Sequence, residues 1–296
     1  GTFVIVCRYV KPRQLFWLWR HREALSGIGL FVDDDIAAMV ADNDGPLDYR
    51  AYLLGMGVLP LFVLNGLLTH LWASTEALSS ALAREGLAAS VLAPRPGREQ
   101  YRPACCRPAA GDAVRMIFHA TGVHFSEHRF LIPIVTDMLE QHARLRFDVI
   151  AEGAPVRWWQ ALAADPNRLR IHAPLRWPDY FRETASNPAD IALVPLLPGR
   201  TNDRRSDTKR IDVSRMQAAA IYTNCDIYRR CAMPGEIFAD HQPEAWRQAI
   251  HRLATDPVLR QQVQDATMAS MSRMRNASLA GFPGLSLQPG EAVHDA

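Results

Sequence analysis

Asp190 to Thr223 reads DIALVPLLPGRTNDRRSDTKRIDVSRMQAAAIYT. Its first apolar run, ending at Val194-Pro195, has the pattern of a strand buried on both faces. A second such run, Ala219–Thr223, follows a helical stretch. Strand, polar loop, helix and strand make one crossover of a parallel sheet. The helix is expected to start at Thr208 or Lys209, with Ser206 or Asp207 as its cap. Backbone N–H groups at that end, with Arg204, Arg205 and Lys209 beside them, suit an anion. Asp212, one turn after Lys209, would face the same cleft and accept hydrogen bonds from sugar or ribose hydroxyls. A cation and a carboxylate at this spacing suit a nucleotide, one end neutralising diphosphate and the other holding ribose. The competing reading is a solvated helix start with an intrahelical ion pair.

The same alternation extends along the chain. Strands are expected at Phe3–Cys7, Ile28–Val32, Ser90–Ala93, Val114–His119, Leu145–Ala151, Leu169–His172 and Glu236–Phe238. Helices are expected at Arg13–Ala24, Ser126–His142, Arg210–Gln217, Pro243–Thr255 and Pro257–Met274. The fold class is therefore α/β, with two Rossmann-like domains. Ala93 to Asp112 carries four prolines, two glycines and no periodicity, which makes it a linker. The domains are then 1–92, short for a Rossmann-like domain, and 113–275, with a Gly-, Pro- and Ser-rich tail over 276–296 expected to be disordered. Such domains bind ligands between them, at the carboxyl ends of their strands.

On these residues the chain resembles GT-B glycosyltransferases, in particular the bacterial group 1, family 4-like members. In their C-terminal domain a strand ending "DI-x-L-x-P-L" precedes a loop, then "S-x-T-K-x-x-E/D" and a helix. Ser206, Thr208, Lys209 and Asp212 fall on that pattern. The resemblance implies that Lys209 contacts the donor diphosphate and Asp212 the ribose. Arg205 and Thr208 are the adjoining donor-side candidates. Val114 to Gly153 resembles the first βαβ unit of that domain, with His119-Ala-Thr-Gly122 at its glycine-containing turn. This adds His119, Thr121, Gly122 and His124 as donor-binding candidates. The implied activity is hexosyl transfer from a nucleotide-diphospho-sugar, a co-substrate, with no cofactor and no metal. The acceptor (sugar, lipid-linked glycan or protein) stays open, as does stereochemistry. Two departures stand out. Gln217 occupies the usual glycine of the helix-to-strand turn, and the short first domain leaves open that strands and part of the acceptor site are missing. Together they admit a catalytically degenerate nucleotide-sugar-binding or scaffold protein as the alternative.

Asp33, Asp34 and Asp35 end a strand of the first domain, where carboxylates could hold acceptor hydroxyls, act as a base or, less favoured, bind a divalent ion. Strand alternation prevents all three from facing the cleft, and Asp34 and Asp35 are the catalytic candidates; the competing reading is a solvated strand end with one Asp capping the next helix. Tyr222, Asn224 and Tyr228 lie near another strand end and could flank a base or ribose. His124-Phe-Ser-Glu-His128 formally matches the HxxEH of inverted zinc peptidases, with Glu127 as base. Its position just after a strand and the lack of an evident third ligand segment make this the least favoured reading.

The 296 residues, 48% hydrophobic and 22% charged, exclude a disordered or collagen-like chain. A net charge of +2 without a basic block gives no nucleic-acid footprint. Of 33 basic residues only Lys11 and Lys209 are lysine, so Lys209 survives a strong arginine bias. Five cysteines (Cys7, Cys105, Cys106, Cys225 and Cys231) without framework spacing fit a reducing cytoplasm. Two segments bear on membranes. Ala51 to Thr75 contains no charged residue, and is read as a buried interdomain helix broken near Pro60, against membrane contact. Lys11 to Arg22 mixes bases with Phe16, Trp17 and Trp19. The favoured reading packs these aromatics on a sheet; the other rests them on an anionic membrane surface, at the inner face of the membrane.

Overall fold

The computed structural model describes residues 1–42, 44–97, 100, 113–120, 124–162, 165, 167–278 and 281–285. The N-terminal lobe runs β1 (Thr2–Cys7), α1 (Pro12–His21), β2 (Leu25–Val32), α2 (Ile36–Ala41), α3 (Leu47–Leu53), α4 (Leu61–Leu64), β3 (His70–Ala73), α5 (Glu76–Arg84) and β4 (Ser90–Val91). Its four strands pair in chain order, all parallel. The C-terminal lobe contains β5 (Val114–His119), α6 (Phe125–Gln141), β6 (Leu145–Ile150), α7 (Ala154–Gln160), β7 (Leu169–His172), α8 (Trp177–Ser186) and β8 (Ile191–Val194). It continues with α9 (Lys209–Arg215), β9 (Ala219–Thr223), α10 (Asp226–Arg229), β10 (Ile237–Ala239), α11 (Pro243–Thr255) and α12 (Pro257–Ala277). These six strands are parallel in the order β10-β9-β8-β5-β6-β7. That is the doubly wound order, whose direction of winding reverses between β5 and β8 and leaves a crevice at their carboxyl ends.

The sequence of the central strands explains their position. Every residue of β8 and β9 is buried, as strands covered on both faces require. One face of the sheet packs Phe118, Phe147, Trp159 and Trp246, and the other packs Val194, Val213, Tyr222 and Tyr228. In the first lobe, β2 needs glycine where aromatic rings cross it. A Cβ at Gly29 would lie 2.2 Å from the Trp72 ring, and one at Gly27 would lie 2.4 Å from that of Phe3.

Three expectations are corrected. The charge-free stretch 51–75 is interrupted near Pro60, as expected, but it is not buried. It passes through α3, a π turn at Leu54–Val58, α4 and a 3-10 turn at Asn65–Leu67, then ends in β3. Only 22% of its apolar window is buried, because Leu53 and Leu64 face the lobe while Leu59, Phe62 and Val63 face outward. The aromatics of α1 do not lie on the sheet either; Leu15 and Leu18 do. Finally, part of the tail read as disordered is placed. α12 runs to Ala277, and the chain then returns to the first lobe, where Trp72 Nε1 donates to the Pro283 carbonyl at 2.9 Å and meets the Phe282 ring. Beside this return the linker is bonded to the same segment. Ser278 Oγ donates to Pro94 O at 2.7 Å and Arg95 Nε to Arg275 O at 3.2 Å.

Candidate functional site

The crevice at β5 and β8 is occupied by Lys209, the first residue of α9. Its Nζ donates to the His119 carbonyl, at the end of β5, at 2.8 Å. Neither Ser206 nor Asp207 caps the helix as expected. Thr208 precedes it in a helical conformation without a side-chain cap. The Asp207 carboxylate is drawn off by Arg230 at 2.8 Å and by the buried Arg210.

Lys209 separates two cavities. One, of about 300 Å3, lies within the C-terminal lobe between the strand ends and α8, and is lined by His119, His124, Leu175, Trp177, Tyr180 and Asp212 as well as Lys209. The other, of about 360 Å3, opens between the lobes, against Arg8, Asp34, Tyr49, Arg205 and Thr208. Lys209 and His124 line both.

In the first cavity Asp212 is bound by Arg215 at 2.8 Å and by the Tyr180 hydroxyl. Arg215 is buried under the aromatic face of α8, with its guanidinium 4.7 Å from the Phe181 ring centre and its Nε bonded to Thr184. It thereby clamps α8 onto α9 and holds Asp212 in the cavity wall. Burial pushes the Asp212 carboxyl up, opposed by Arg215 and Lys209. Burial likewise pushes the Lys209 ammonium down, against the pull of Asp212. His119 and His124 are held neutral, at about 3 and about 4, by burial first. The charge of Lys209 reinforces this at His119, and that of Arg205 at His124, where the Glu127 hydrogen bond pulls the other way.

The interdomain cavity is ringed by ion pairs across the lobes. Asp34 is paired with Arg8 and lies 3.4 Å from Arg205 Nε. Asp35 is fully engaged: one oxygen caps α2 through Ala38 N at 2.8 Å, and the other binds Arg204. Of the two catalytic candidates, Asp34 is therefore the one that faces the cavity, alongside Asp33. The loop carrying both arginines is tied down by Thr75 Oγ1, which donates to Arg204 O at 2.8 Å, and by Thr201, which donates to Asp42. Arg205 also donates to the neutral His124 ring at 3.2 Å.

Of the sequence-selected residues, Lys209, Asp212, Arg205, Thr208, His119, His124 and Asp34 thus line the two joined cavities. Thr121 and Gly122 lie outside the described residues. Tyr222 is a correction: its ring is core, under the Arg210 guanidinium at 4.5 Å. Asn224 bonds Asp240 and Arg229 instead of entering either cavity, whereas Tyr228 reaches the interdomain one. Sequence reading missed Arg8, whose φ of +66° at the end of β1 aims it at Asp33 and Asp34, and Tyr180. Arg8 directly follows a strand, which was its available signal. Tyr180 had only the aromatic cluster Trp177-Pro-Asp-Tyr-Phe181. The two histidines of HxxEH do not converge. His128 points into the core, where its Nδ1 accepts from Trp159 at 2.9 Å, and the Glu127 carboxylate holds Asn202 at 2.7 Å. Among the described residues no group of three His, Cys, Asp or Glu side chains is placed to bind a metal.

No family model and no curated protein matches the chain. Solved structures do. A glycosyltransferase from Rickettsia africae superimposes with a TM-score of 0.59 at 11% identity, over 92% of this chain and 74% of that one. Anabaena HepE in complex with UDP-glucose gives 0.63 at 10% identity, over 93% and 76%. The fold is GT-B. Sucrose-phosphate synthase from Thermosynechococcus elongatus shares this fold with a TM-score of 0.61 at 10% identity, over 92% of this chain and 69% of its own. Likeness at these identities is one of fold. The GT-B resemblance carried by a few motif residues thereby extends to most of the chain.

Proposed function

We propose that this protein transfers a sugar from a nucleotide-diphospho-sugar to an acceptor hydroxyl. The observation that carries the reading is Lys209 with His124 at the junction of two cavities that differ in chemistry. The apolar cavity beside Trp177, Leu175 and Tyr180 suits a nucleoside, with Asp212 available to ribose hydroxyls. The charged interdomain cavity, with Asp34, Arg8 and Arg205, suits the sugar and its acceptor. A diphosphate spanning the two would lie against Lys209. The solved complexes of HepE with UDP and with UDP-glucose support a donor of this class for the fold.

In the reaction the acceptor oxygen bonds to the anomeric carbon and the anomeric C–O bond to phosphate breaks. The bonding pair leaves with the nucleoside diphosphate. Lys209 and Arg205 stabilise the charge that develops there, in a site partly withdrawn from water. The neutral histidines can accept as well as donate hydrogen bonds, so they orient oxygens without adding charge. Asp34 is assigned the acceptor proton. A panel of UDP, GDP, ADP and CMP, read by thermal shift, tests the donor class, and release of free nucleotide from the matching sugar donors tests turnover. No stabilisation by any nucleotide would overturn the reading, and tight binding without turnover would favour the scaffold alternative.

A further inference from the structure

The outer face of the N-terminal lobe carries several large exposed apolar side chains. On α1, Phe16, Trp17 and Trp19 are 60%, 46% and 48% exposed, while Leu15 and Leu18 anchor the helix to the sheet. On the adjoining charge-free stretch, Leu59, Phe62 and Val63 are 55%, 80% and 52% exposed, while Leu61 and Leu64 join the same core cluster as Leu15 and Leu18. Both segments therefore belong to one helical layer and turn their remaining apolar groups away from it. Clusters of this size are uncommon on a soluble surface without a partner.

Charge decides which partner fits. Lys11, Arg13, Arg20 and Arg22 are exposed around the α1 aromatics, and the helix itself contains no acidic residue. Arg22 lies over the Trp19 ring at 5.5 Å, and His21 stacks on Trp17 at 4.6 Å. Bases flanking indole rings, on a helix laid flat against its domain, match the headgroup zone of an anionic bilayer. We propose that this face docks on an anionic lipid surface, with α1 and residues 59–63 lying in the interface. Residues Leu47–Leu67 are long and apolar enough to cross a membrane, but Leu53, Gly57 and Leu64 are committed to the core of the lobe. Crossing would dismantle the sheet packing that this segment supplies; lying on the surface leaves it intact.

Flotation of the full chain with phosphatidylcholine vesicles, with and without phosphatidylglycerol, tests the proposal. The chain should float with the anionic vesicles and remain largely free with the neutral ones. Arg13→Gln with Arg20→Gln, both at exposed positions, should weaken binding roughly 25-fold, from about fivefold per basic side chain at an anionic surface. Phe62→Ser should weaken it further without lowering the thermal midpoint. Trp17→Phe with Trp19→Phe should retain binding while losing the blue shift of tryptophan emission that vesicles induce. Absence of flotation with anionic vesicles, or equal binding by the arginine variant, would overturn the proposal. So would a concentration-dependent dimer that Phe62→Ser abolishes, since that would make a second copy the occupant.

Discussion

Replacing Lys209 by Met separates a binding residue from a structural one. The change removes the charge and keeps most of the aliphatic stem. Burial lowers the folded-state pKa of Lys209 below its unfolded value, so its ammonium is less favourable in the folded chain. Below both pKa values the destabilisation is fully present, and it is relieved as pH rises through the lowered folded value towards the unfolded one. Against this, the variant loses the charge-assisted bond to the His119 carbonyl, worth about 1.5–3 kcal/mol. At neutral pH the two effects oppose each other, and Lys209→Met is expected to lower unfolding free energy by less than the about 1.5–3 kcal/mol of that bond. Binding should respond more. Charge-assisted hydrogen bonds are worth about 1.5–3 kcal/mol, so affinity for a nucleoside diphosphate should fall roughly 10- to 150-fold. Urea unfolding measures the first quantity and calorimetric titration with the nucleotide that stabilises the wild type measures the second. A variant that binds like the wild type but unfolds more easily by about 3 kcal/mol or more, beyond the value of a single charge-assisted hydrogen bond, would make Lys209 a strut between β5 and α9 and refute the reasoning.

Other expectations follow from buried charge and strained backbone. Arg210→Ala should cost about 3–5 kcal/mol, read as a shift in urea midpoint, because it leaves Glu236 buried without its cation. Gln217→Gly should stabilise by about 1 kcal/mol and raise Tm by roughly 2–4 °C. Gln217 sits at φ +54° in the turn closing α9, where its N–H bonds Ser214 O and the next N–H bonds Val213 O. His119 and His124, held at about 3 and about 4 by burial, bind no proton in the folded chain where the unfolded chain already does. Stability contributed by their neutrality is therefore lost as pH falls from about 6.5 towards 4, at up to about 1.4 kcal/mol per pH unit for each. The raised Asp212 acts in the opposite sense. The measurement is thus the difference between wild type and His119→Gln in unfolding series from pH 7.5 to 4.5, and equal slopes would contradict the assignment.

Three strands were located to the residue, two of them largely buried and one lying half-exposed at the sheet edge. Val114–His119, Leu169–His172 and Ala219–Thr223 match the structure end to end, and Pro243–Thr255 does so among helices. β3 was missed because His70–Ala73 follows a long apolar run whose exposed half faces out of the molecule, so polarity offered no boundary. Lys209 and Asp212 were legible since one helix turn holds them together. Tyr180, Arg8 and Arg215 were not, because their meeting depends on how α8, β1 and α9 stack, which no local pattern encodes. The three aspartates show the same division. Alternation indicated that they could not all face the cleft, but only the partners of Asp35, Ala38 and Arg204, show that it is the one withdrawn, leaving Asp33 and Asp34 at the cavity.

The paired crossings between the lobes have a mechanical consequence. Residues 94–95 leave the first lobe beside residues 275–278, which are about to re-enter it, and two hydrogen bonds join the passing segments. Two pins set side by side allow a door to swing but resist its turning about the long axis. Opening would then follow a single arc, and residues facing each other across the cleft, such as Asp34 and Arg205, would meet again in the same register at every closure.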